Sequence, residues 1–355
     1  MHSFIPFSDE QRRLLSNLDQ HYSAWMDARK MDDSHPRVRW KEVKGYVYLY
    51  RKAKKRAQEK AYGRRSEETE RIYQNVRSRS PIIADTLKGT RARLHETCAL
   101  YTRLKLGRIA TDAAKILQFL DFSGVVGTEY FVVGTNAFPA YEGEADHRIV
   151  IGAEETDDFD LTWCAKNLDV LGDNRRSLLN LLMEFDPSFR LSARQAYQLV
   201  NKDGYEVELL AAPSVMEVLK ASGEILRPVD NFIEQEWLLN GTPVDRVVCG
   251  LDRTPARIVA PDPRWMALHK LWLSEQLKRN ILKRPKDRKQ GIALIDAVEK
   301  FMPHYPINDT FKAELPIELD DVLKRWQAGL INEDNWRQGG LIPSQPRKPK
   351  PPGYR

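Results

Sequence analysis

The sequence predicts an α+β protein, with a small mixed β-sheet in the middle of the chain and helical regions on both sides. Apolar residues recur at helical spacing in the outer parts, whereas the middle contains short β-prone runs separated by turn signals. At 355 residues the chain has the length for more than one domain. The predicted divisions are a basic helical region over 1–108, an α/β core over 109–213, a helical region over 214–340 and a disordered tail over 341–355.

The first helix is predicted from a capping box followed by an apolar periodicity. Ser8 suits the N-cap, Gln11 lies three residues later, and the helical spacing continues to Met31. After a break, Gly45 to Tyr50 (GYVYLY) has the composition of a short strand. Packing against neighbouring helices is the commoner fate of such tyrosines, and stacking on nucleic-acid bases is the alternative.

A second helical pattern in the N-terminal region runs from Ser66 to Leu106. Ser66 and Thr69 compete as its cap, because both are good N-cap residues. We expect an interruption at Ser80-Pro81, since proline lacks the N–H that a helix interior needs. Together the two patterns predict that the first third of the chain is mainly helical.

Positive charge is concentrated in this N-terminal region. The whole chain has a net charge of +6, but between Arg37 and Arg108 there are 21 Lys and Arg against 7 Asp and Glu. One interpretation is a surface that binds a polyanion, and the other is a set of solvated basic helices. The sequence favours the two interpretations equally.

The central stretch begins with a strand that ends at a glycine. Tyr130 to Val133 is an apolar run typical of a strand buried on both faces. Gly134 breaks it, and Thr135 can cap a helix over Asn136 to Glu142 that Pro139 makes short or irregular. A glycine allows a ligand close to the backbone, and the first N–H groups of a helix attract anions. This turn is therefore a candidate phosphate site.

The next strand carries alternating carboxylates. From Asp158 to Trp163 apolar and polar residues alternate, so the two types lie on opposite strand faces. The polar face contains Asp158, Asp160 and Thr162. Carboxylates about 7 Å apart on one strand face can share hard cations such as Mg²⁺.

A hairpin further along supplies more carboxylates. Tyr197 to Val200 and Tyr205 to Leu210 flank a turn that ends in Asp203-Gly204, which is a strong hairpin signal. Alternation places Glu206 and Glu208 on one face of the second strand. A third carboxylate can thus lie beside the alternating pair.

The C-terminal region is predicted to be helical. Asp262 and Pro263 suit the N-cap and first position of a helix that continues to about Arg279. Apolar residues cover most of its circumference, so this helix is expected to be buried. His269 within it is more typical of a core histidine with one hydrogen-bond partner than of a ligand or base. A basic loop, Lys283 to Lys286, then leads to another helix.

Two parts of the central stretch resemble a known signature. Gly134-Thr135 followed by Asp158-Phe159-Asp160 resembles the Gly-[Gly/Ser] … Asp-x-Asp pattern of the polymerase-β-like nucleotidyltransferase superfamily. The segments VVGTNAFPAYE and DDFDLTW are similar to sequences of a bacterial nucleotidyltransferase-fold family, and the similarity extends to Lys105–Gln118 and Pro261–Gln290. More distantly, the chain is similar to toxin-type nucleotidyltransferases of abortive infection.

The resemblance implies roles for individual residues. The implied nucleotide-binding residues are Gly134, Thr135, Asn136, Arg148 and Lys270. The implied catalytic and metal-binding residues are Asp158, Asp160 and Glu208. They would hold two Mg²⁺ ions, or Mn²⁺ in their place. Glu208 rather than Glu206 matches the family position. Lys270 either reaches the triphosphate or pairs with Asp287.

The implied reaction transfers a nucleoside monophosphate from a nucleoside triphosphate to a hydroxyl and releases pyrophosphate. The basic N-terminal region favours RNA as the acceptor, with a protein or a small molecule as alternatives. Two rival interpretations keep the fold without this chemistry. One is a catalytically silent binding or regulatory protein of a toxin–antitoxin or phage-defence system, and the other is an RNA-binding module.

Other classes of protein find little support in the sequence. No apolar run approaches the length of a membrane span, and the N-terminus lacks the order of a signal peptide. The 3 cysteines are scattered, which is typical of reduced thiols, so we expect a cytoplasmic protein without a membrane partner. No nucleophile-elbow, zinc-protease or Walker motif is present.

Overall fold

The α+β class is confirmed by the computed structural model, which describes residues 3–54, 57–150, 158–171, 175–229 and 232–332. The helices are α1 Asp9–Ser34, α2 Glu67–Arg103, α3 Thr111–Phe122, α4 Phe138–Ala145, α5 Leu178–Phe185, α6 Met216–Ala221, α7 Pro263–Glu275, α8 Lys283–Phe301, α9 Asp309–Glu314 and α10 Ile317–Gln327. The strands are β1 Ser3–Pro6, β2 Arg37–Val43, β3 Tyr46–Lys52, β4 Glu59–Arg64, β5 Arg108–Ile109, β6 Tyr130–Val132, β7 His147–Val150, β8 Asp158–Trp163, β9 Arg190–Leu191, β10 Gln198–Val200, β11 Glu206–Ala211, β12 Val244–Gly250 and β13 Pro255–Ala260. Short 3-10 helices span Gly134–Ala137, Leu168–Val170, Pro213–Val215 and Ile233–Leu239.

Both N-terminal helices begin at capping boxes. The predicted box at α1 is confirmed, with Gln11 N donating to Ser8 Oγ at 3.2 Å and Ser8 N donating to Gln11 Oε1 at 2.8 Å. At α2, Ser66 is the N-cap and Thr69 its reciprocal partner, so the two residues act together instead of competing. The predicted interruption at Ser80-Pro81 is wrong, because α2 continues through Pro81. One missing hydrogen bond does not end a long helix that packs along a second helix.

Helices α1 and α2 run antiparallel. Three hydrogen-bonded pairs join them in order, namely Gln11 with Leu104, His21 with Thr97 and His35 with Ser80. Since α1 ends next to the last of these pairs, the first turns of α2 extend past α1. The antiparallel sheet β2–β3–β4 is inserted between the two helices at this end.

The sheet β2–β3–β4 was predicted only in part. The strand expected over Gly45 to Tyr50 is confirmed as β3, but β2 and β4 were not predicted, so the N-terminal region is less purely helical than expected. A signal for β2 exists, because Val38 and Trp40 alternate with basic residues in RVRWKEV. The segment is rich in Lys and Arg, which is more typical of a solvated surface than of a strand, and β2 was therefore not predicted.

The central sheet has the strand order β6-β8-β11-β10-β9. Strands β8 and β11 are parallel and their other neighbours are antiparallel, which makes the sheet mixed, as predicted. The predicted hairpin is confirmed as β10 and β11, with Gly204 at a φ of +83° in the turn. The helix predicted over Asn136 to Glu142 is displaced: a 3-10 turn comes first, and α4 starts at Phe138 with Pro139 in its first turn, where proline is tolerated. Thr135 therefore lies inside the turn and does not cap a helix.

Helices α7 and α8 pack closely against each other next to the central sheet. The predicted start of α7 is confirmed, with Asp262 Oδ1 accepting a hydrogen bond from Arg264 N at 2.9 Å. The helix ends earlier than predicted, at Glu275, and α8 begins within the predicted basic loop, at Lys283. A Cβ atom at Gly291 of α8 would lie 2.7 Å from Leu271 Cγ of α7, so only glycine permits this helix crossing.

Buried apolar residues from all three predicted regions form one cluster, which extends from Phe7 to Ile331. Strand β5 pairs with β12, and the hydroxyl of Tyr22 on α1 donates to Asp121 of α3 at 2.8 Å. The domain boundaries near residues 108 and 213 stay predictions. The predicted tail, 341–355, lies outside the described residues. Within the described ranges, no helix combines the length and the apolar character that a membrane crossing requires.

Candidate active site

Strands β8 and β11 place carboxylates side by side. In their parallel register Asp160 lies opposite Glu208, and Asp158 lies opposite Glu206. Neighbouring strands are about 4.8 Å apart, so side chains at paired positions project from one face next to each other. The side chain of Asp158 lies outside the described part of the chain. The register brings together Asp160 and Glu208, two of the three predicted metal-binding residues.

The opposite face of the two strands is apolar and buried, as the alternation predicted. The residues with an exposed fraction of 0–1% there are Phe159, Leu161, Trp163, Val207 and Leu209. Because a strand shifted by one residue would turn these side chains to the wrong face, their burial fixes the register. The same burial therefore fixes the pairing of Asp160 with Glu208.

The predicted glycine turn meets the carboxylate strand at Asp160. Gly134 has a φ of +72°, and a Cβ atom there would lie 2.5 Å from Asp160 Oδ2. The backbone N–H of Val133 donates to the carbonyl of Asp160 at 3.1 Å. A glycine is thus required both for the left-handed conformation and for the close approach of the carboxylate. Thr135 and Asn136 follow in the same 3-10 turn, next to Asp160.

A glutamine that the sequence analysis did not single out bridges two carboxylates. Gln198 Nε2 donates to Glu206 Oε2 at 2.8 Å and to Glu208 Oε1 at 3.1 Å. Gln198 is opposite Glu208 in the β10–β11 hairpin and is 6% exposed. The amide holds the two carboxylates in place and offsets part of their mutual repulsion. Counting back from the Asp203-Gly204 turn would have identified this position.

A basic residue at the start of α8, Lys283, lies near Tyr197, the residue before β10. Burial raises the pKa of Tyr197, Glu208 and Glu206 raise it further, and Lys283 lowers it. These groups therefore lie close enough to interact electrostatically. Lys283 lies in the predicted basic loop, and no sequence pattern connects that loop to the hairpin.

Helix α8 also contacts the glycine turn. Gln290 Nε2 donates to Thr135 Oγ1 at 3.3 Å, and Gln290 is only 2% exposed. Gln290 Oε1 is buried and has no hydrogen-bond partner among the described residues. This bond fixes the turn against the C-terminal region. Nothing in the local pattern around Gln290 indicated it.

Lys270 and Asp287 form a buried ion pair. Lys270 Nζ donates to Asp287 Oδ1 at 3.1 Å, and Arg279 Nε donates to Asp287 Oδ2 at 2.7 Å. Burial alone would raise the pKa of Asp287, but Lys270 and Arg279 outweigh it, and the pKa lies below its ordinary value. Of the two alternatives for Lys270, the structure shows the pairing with Asp287. Its contact with a nucleotide stays a prediction.

His269 lies in the core beside this ion pair, as predicted. Burial lowers its pKa from 6.5 to about 3, and Lys270 adds to the effect, so the imidazole is neutral at pH 7. Its ring makes an edge contact with Trp237, with 6.1 Å between the centroids. Neither ring nitrogen has a hydrogen-bond partner in the described part of the chain, unlike the single partner that we expected.

Arg148 lies on a different sheet from the carboxylates. It is an exposed residue of β7, which pairs with β1, and its Nη1 donates to the carbonyl of Lys105 at 3.0 Å. Its predicted contact with the triphosphate stays a prediction.

The donor set suits a hard divalent cation. Asp160 and Glu208 offer only carboxylate oxygens, which Mg²⁺ and Mn²⁺ prefer over the nitrogen and sulfur ligands of zinc sites. Among the described side chains, which do not include that of Asp158, no three His, Cys, Asp or Glu residues form a ready metal cluster. The predicted third ligand, Asp158, starts the same strand. The residues present therefore fit Mg²⁺ in chemical type.

Comparison with known proteins defines the class. A family model described as nucleotidyltransferase matches residues 111–316, which is more than half of the chain, and the protein belongs to this family. In structure, the chain is similar to an antigenic nucleotidyltransferase-like protein from Paracoccidioides brasiliensis, with 15% identity, a TM-score of 0.34, and coverage of 63% of this chain and 91% of that one. No curated protein sequence matches the chain.

Proposed function

We propose that this nucleotidyltransferase moves a nucleoside monophosphate from a nucleoside triphosphate to a hydroxyl group in a reaction that requires two Mg²⁺ ions or Mn²⁺. The observation that carries the proposal is the meeting of Asp160 with Gly134 and Glu208. The Asp160 carboxylate leaves no room for a side chain at Gly134, and Glu208 occupies the paired position on the next strand. A carboxylate pair beside a glycine turn suits a metal-bound triphosphate.

The triphosphate would lie along Gly134, Thr135 and Asn136. The Gly134 backbone has no Cβ to block the phosphates, and the bond from Gln290 to Thr135 holds the turn in place. Lys283, which lies close enough to Tyr197 to lower its pKa, is a candidate partner for the negative charge of the leaving pyrophosphate. Arg148 and Lys270 stay secondary candidates for phosphate contacts.

The bond changes follow from in-line displacement at the α-phosphorus. The acceptor oxygen forms a new bond to the α-phosphorus, and the bond from that phosphorus to the bridging oxygen of pyrophosphate breaks. Glu208 accepts the proton of the acceptor hydroxyl. Mg²⁺ held by Asp158, Asp160 and Glu208 would neutralise the charge on the phosphates. Gln198 positions Glu208 through its bond to Oε1.

RNA is the proposed acceptor class, with a protein side chain or a small molecule as the alternatives. The support is the excess of basic residues between Arg37 and Arg108, with 21 Lys and Arg against 7 Asp and Glu. An excess of this size attracts polyanions.

The test is incubation of total RNA and total protein with each labelled nucleoside triphosphate and Mg²⁺. We expect label in a macromolecule with the wild type, none after chelation, and none with Asp160→Asn. A matched control is Asp309→Asn, which changes an exposed carboxylate of α9 and should label like the wild type. Equal labelling by Asp160→Asn, or nucleotide binding without any turnover by the wild type, would contradict the proposal. The second outcome would favour the silent binding protein.

A further inference from the structure

The sheet β2–β3–β4 has one covered face and one open face. Trp40 and Leu49 are paired across β2 and β3 on the covered face, and Leu49 is 0% exposed. The ring of Trp40 lies 5.5 Å from that of Tyr73 on α2, and a Cβ atom at Gly63 would lie 3.4 Å from Thr69 of the same helix. Helix α2 therefore covers this face. Residues that alternate with Trp40 and Leu49 project from the other side.

The open face carries a row of tyrosines. Tyr46, Tyr48 and Tyr50 occupy alternate positions of the middle strand β3, on both sides of Leu49. Alternate residues of a strand are about 7 Å apart, so three rings follow one another along one line. Tyr46 is 53% exposed, although it is a large aromatic residue. Tyr48 and Tyr50, further along the row, are half-buried.

Basic side chains lie on both sides of the tyrosine row. The strand register places Lys41 of β2 and Arg64 of β4 on either side of Tyr48. Arg64 Cζ lies 4.0 Å from the centroid of the Tyr46 ring, and Lys41 Nζ lies 5.1 Å from that of Tyr50. These distances are within the range of cation–π contacts, which keep both rings and charges at the surface.

The face is otherwise nearly free of negative charge. Within the described residues of its three strands, Glu59 is the acid on this face, and Arg39 binds it bidentately at 2.8 and 2.6 Å. Lys52 lies opposite Glu59 in the register. The net charge of the face thus remains positive. Its aliphatic members are small, which is unlike the apolar centre of a protein–protein interface.

We propose that this open face, which we call the tyrosine sheet, binds single-stranded RNA. Every base offers a π-face that stacks on a tyrosine ring, and each phosphate offers a partner for the flanking Lys or Arg. A duplex keeps its bases stacked on one another and cannot use the row. That the bound RNA is also the acceptor of nucleotidyl transfer rests on the proposed function.

The experiment measures binding of a labelled single-stranded RNA to the full chain by fluorescence anisotropy. Tyr46→Ala and Tyr50→Ala each raise Kd by about tenfold, the loss of one stacked base. Tyr46→Phe and Tyr50→Phe keep the ring and should bind like the wild type. Circular dichroism checks folding. If an alanine variant fails to fold, Lys41→Ala still tests the proposal, because it weakens binding and flattens the salt dependence by about 0.7 in slope per lost phosphate contact.

Two controls separate this proposal from the proposed function. Lys312→Ala removes one positive charge, as Lys41→Ala does, but at a position on α9 that is not part of the sheet. It should leave Kd unchanged. Asp160→Asn should bind RNA like the wild type, since Asp160 is not on the tyrosine sheet. RNA binding that depends on the tyrosines without any transfer would leave this proposal standing and overturn the function. Transfer to RNA, together with an unchanged Kd in the tyrosine variants, would overturn this proposal and leave the proposed function standing.

Three further outcomes would overturn the tyrosine sheet as an RNA site. The first is a duplex RNA that binds as tightly as the single strand. The second is an alanine effect that the phenylalanine variants share. The third is self-association of the chain, measured by sedimentation, that is lost in Tyr46→Ala, since a second copy would then be the partner of this face.

Discussion

Two regions of the molecule share one arrangement but differ in chemistry. They are the carboxylate strands β8 and β11 and the tyrosine sheet β2–β4, and each has one covered face and one face with polar or aromatic side chains. The covered face is fully buried in β8 and β11, and in the tyrosine sheet it is centred on Leu49. The carboxylate strands present acids, which in the proposed function bind cations and, through them, an anionic substrate. The tyrosine sheet presents cations and rings, which suit an anion directly. The two proposals together divide the roles between these regions, with the reaction at the carboxylate strands and RNA binding at the tyrosine sheet.

The largest expected effect separates the two regions by kinetics. Asp160→Asn should lower kcat by on the order of 10³-fold or more, since it removes charge at the reacting phosphates. Tyr46→Ala/Tyr50→Ala should raise KM for RNA and leave kcat nearly unchanged, because its contacts are equal in the ground and transition states. Steady-state rates at varied RNA concentration make the measurement. If the tyrosine variant lowers kcat as strongly as Asp160→Asn, the division fails.

The next effect contrasts a buried ion pair with an exposed one. Asp287→Ala should destabilise the protein by about 3–5 kcal/mol, because it leaves Lys270 charged and unpaired at 5% exposure. The double mutant Lys270→Met/Asp287→Leu removes both charges and should lose less stability than Asp287→Ala. Glu59→Gln breaks the exposed pair with Arg39 and should change stability little. Urea unfolding of all three variants provides the comparison, and a stable Asp287→Ala would show that Lys270 finds another partner.

A third effect concerns pH. The pKa of His269 is lowered from 6.5 to about 3. Between these values the unfolded chain binds a proton that the folded chain does not, so stability falls as the pH drops through this window. The slope reaches about 1.4 kcal/mol per pH unit. Denaturant midpoints of the wild type should therefore decrease from pH 7 to pH 4.

The variant that tests this pH effect is His269→Phe, which keeps an aromatic ring and removes the titrating group. Its stability should depend less on pH than that of the wild type. His95→Phe, at an exposed position of α2, is the matched control and should keep the wild-type slope. Parallel slopes for His269→Phe and the wild type would show that another group dominates acid unfolding.

The smallest effect compares two glycines with similar backbones. Gly134 and Gly45 have φ values of +72° and +76°, so alanine at either position costs about 1–2 kcal/mol of strain. At Gly134 the new Cβ also meets Asp160 Oδ2 at 2.5 Å, whereas nothing lies within 4 Å at Gly45. Gly134→Ala should thus lose transfer activity as well as stability, and Gly45→Ala only stability.

A double mutant sharpens the glycine comparison. In the Asp160→Ala background the clash at Gly134 is gone, so Gly134→Ala should cost about as much stability as Gly45→Ala does. Thermal unfolding of the single and double mutants gives the coupling. Additive losses would show that the close approach of Asp160 to Gly134 has no energetic consequence.

The sequence predicted local features well and long-range partners poorly. Alternation in β8 and the Asp203-Gly204 turn were sufficient for the strands that carry Asp160 and Glu208, because period and turn chemistry are local. The bond from Gln290 to Thr135 joins residues 155 positions apart, and no local pattern encodes such a contact. Strand β2 was missed for a different reason, since its alternation is between apolar and strongly basic residues, and β4 (EKAYGR) has no apolar alternation.

The proposed metal and triphosphate site is tested most directly by a crystal structure with a non-hydrolysable nucleoside triphosphate and Mn²⁺. Mn²⁺ replaces Mg²⁺ at oxygen sites and scatters anomalously. We expect anomalous peaks in contact with the carboxylates of Asp160 and Glu208, with the triphosphate beside Gly134. Peaks elsewhere, or a triphosphate held away from β8 and β11, would contradict the proposed site.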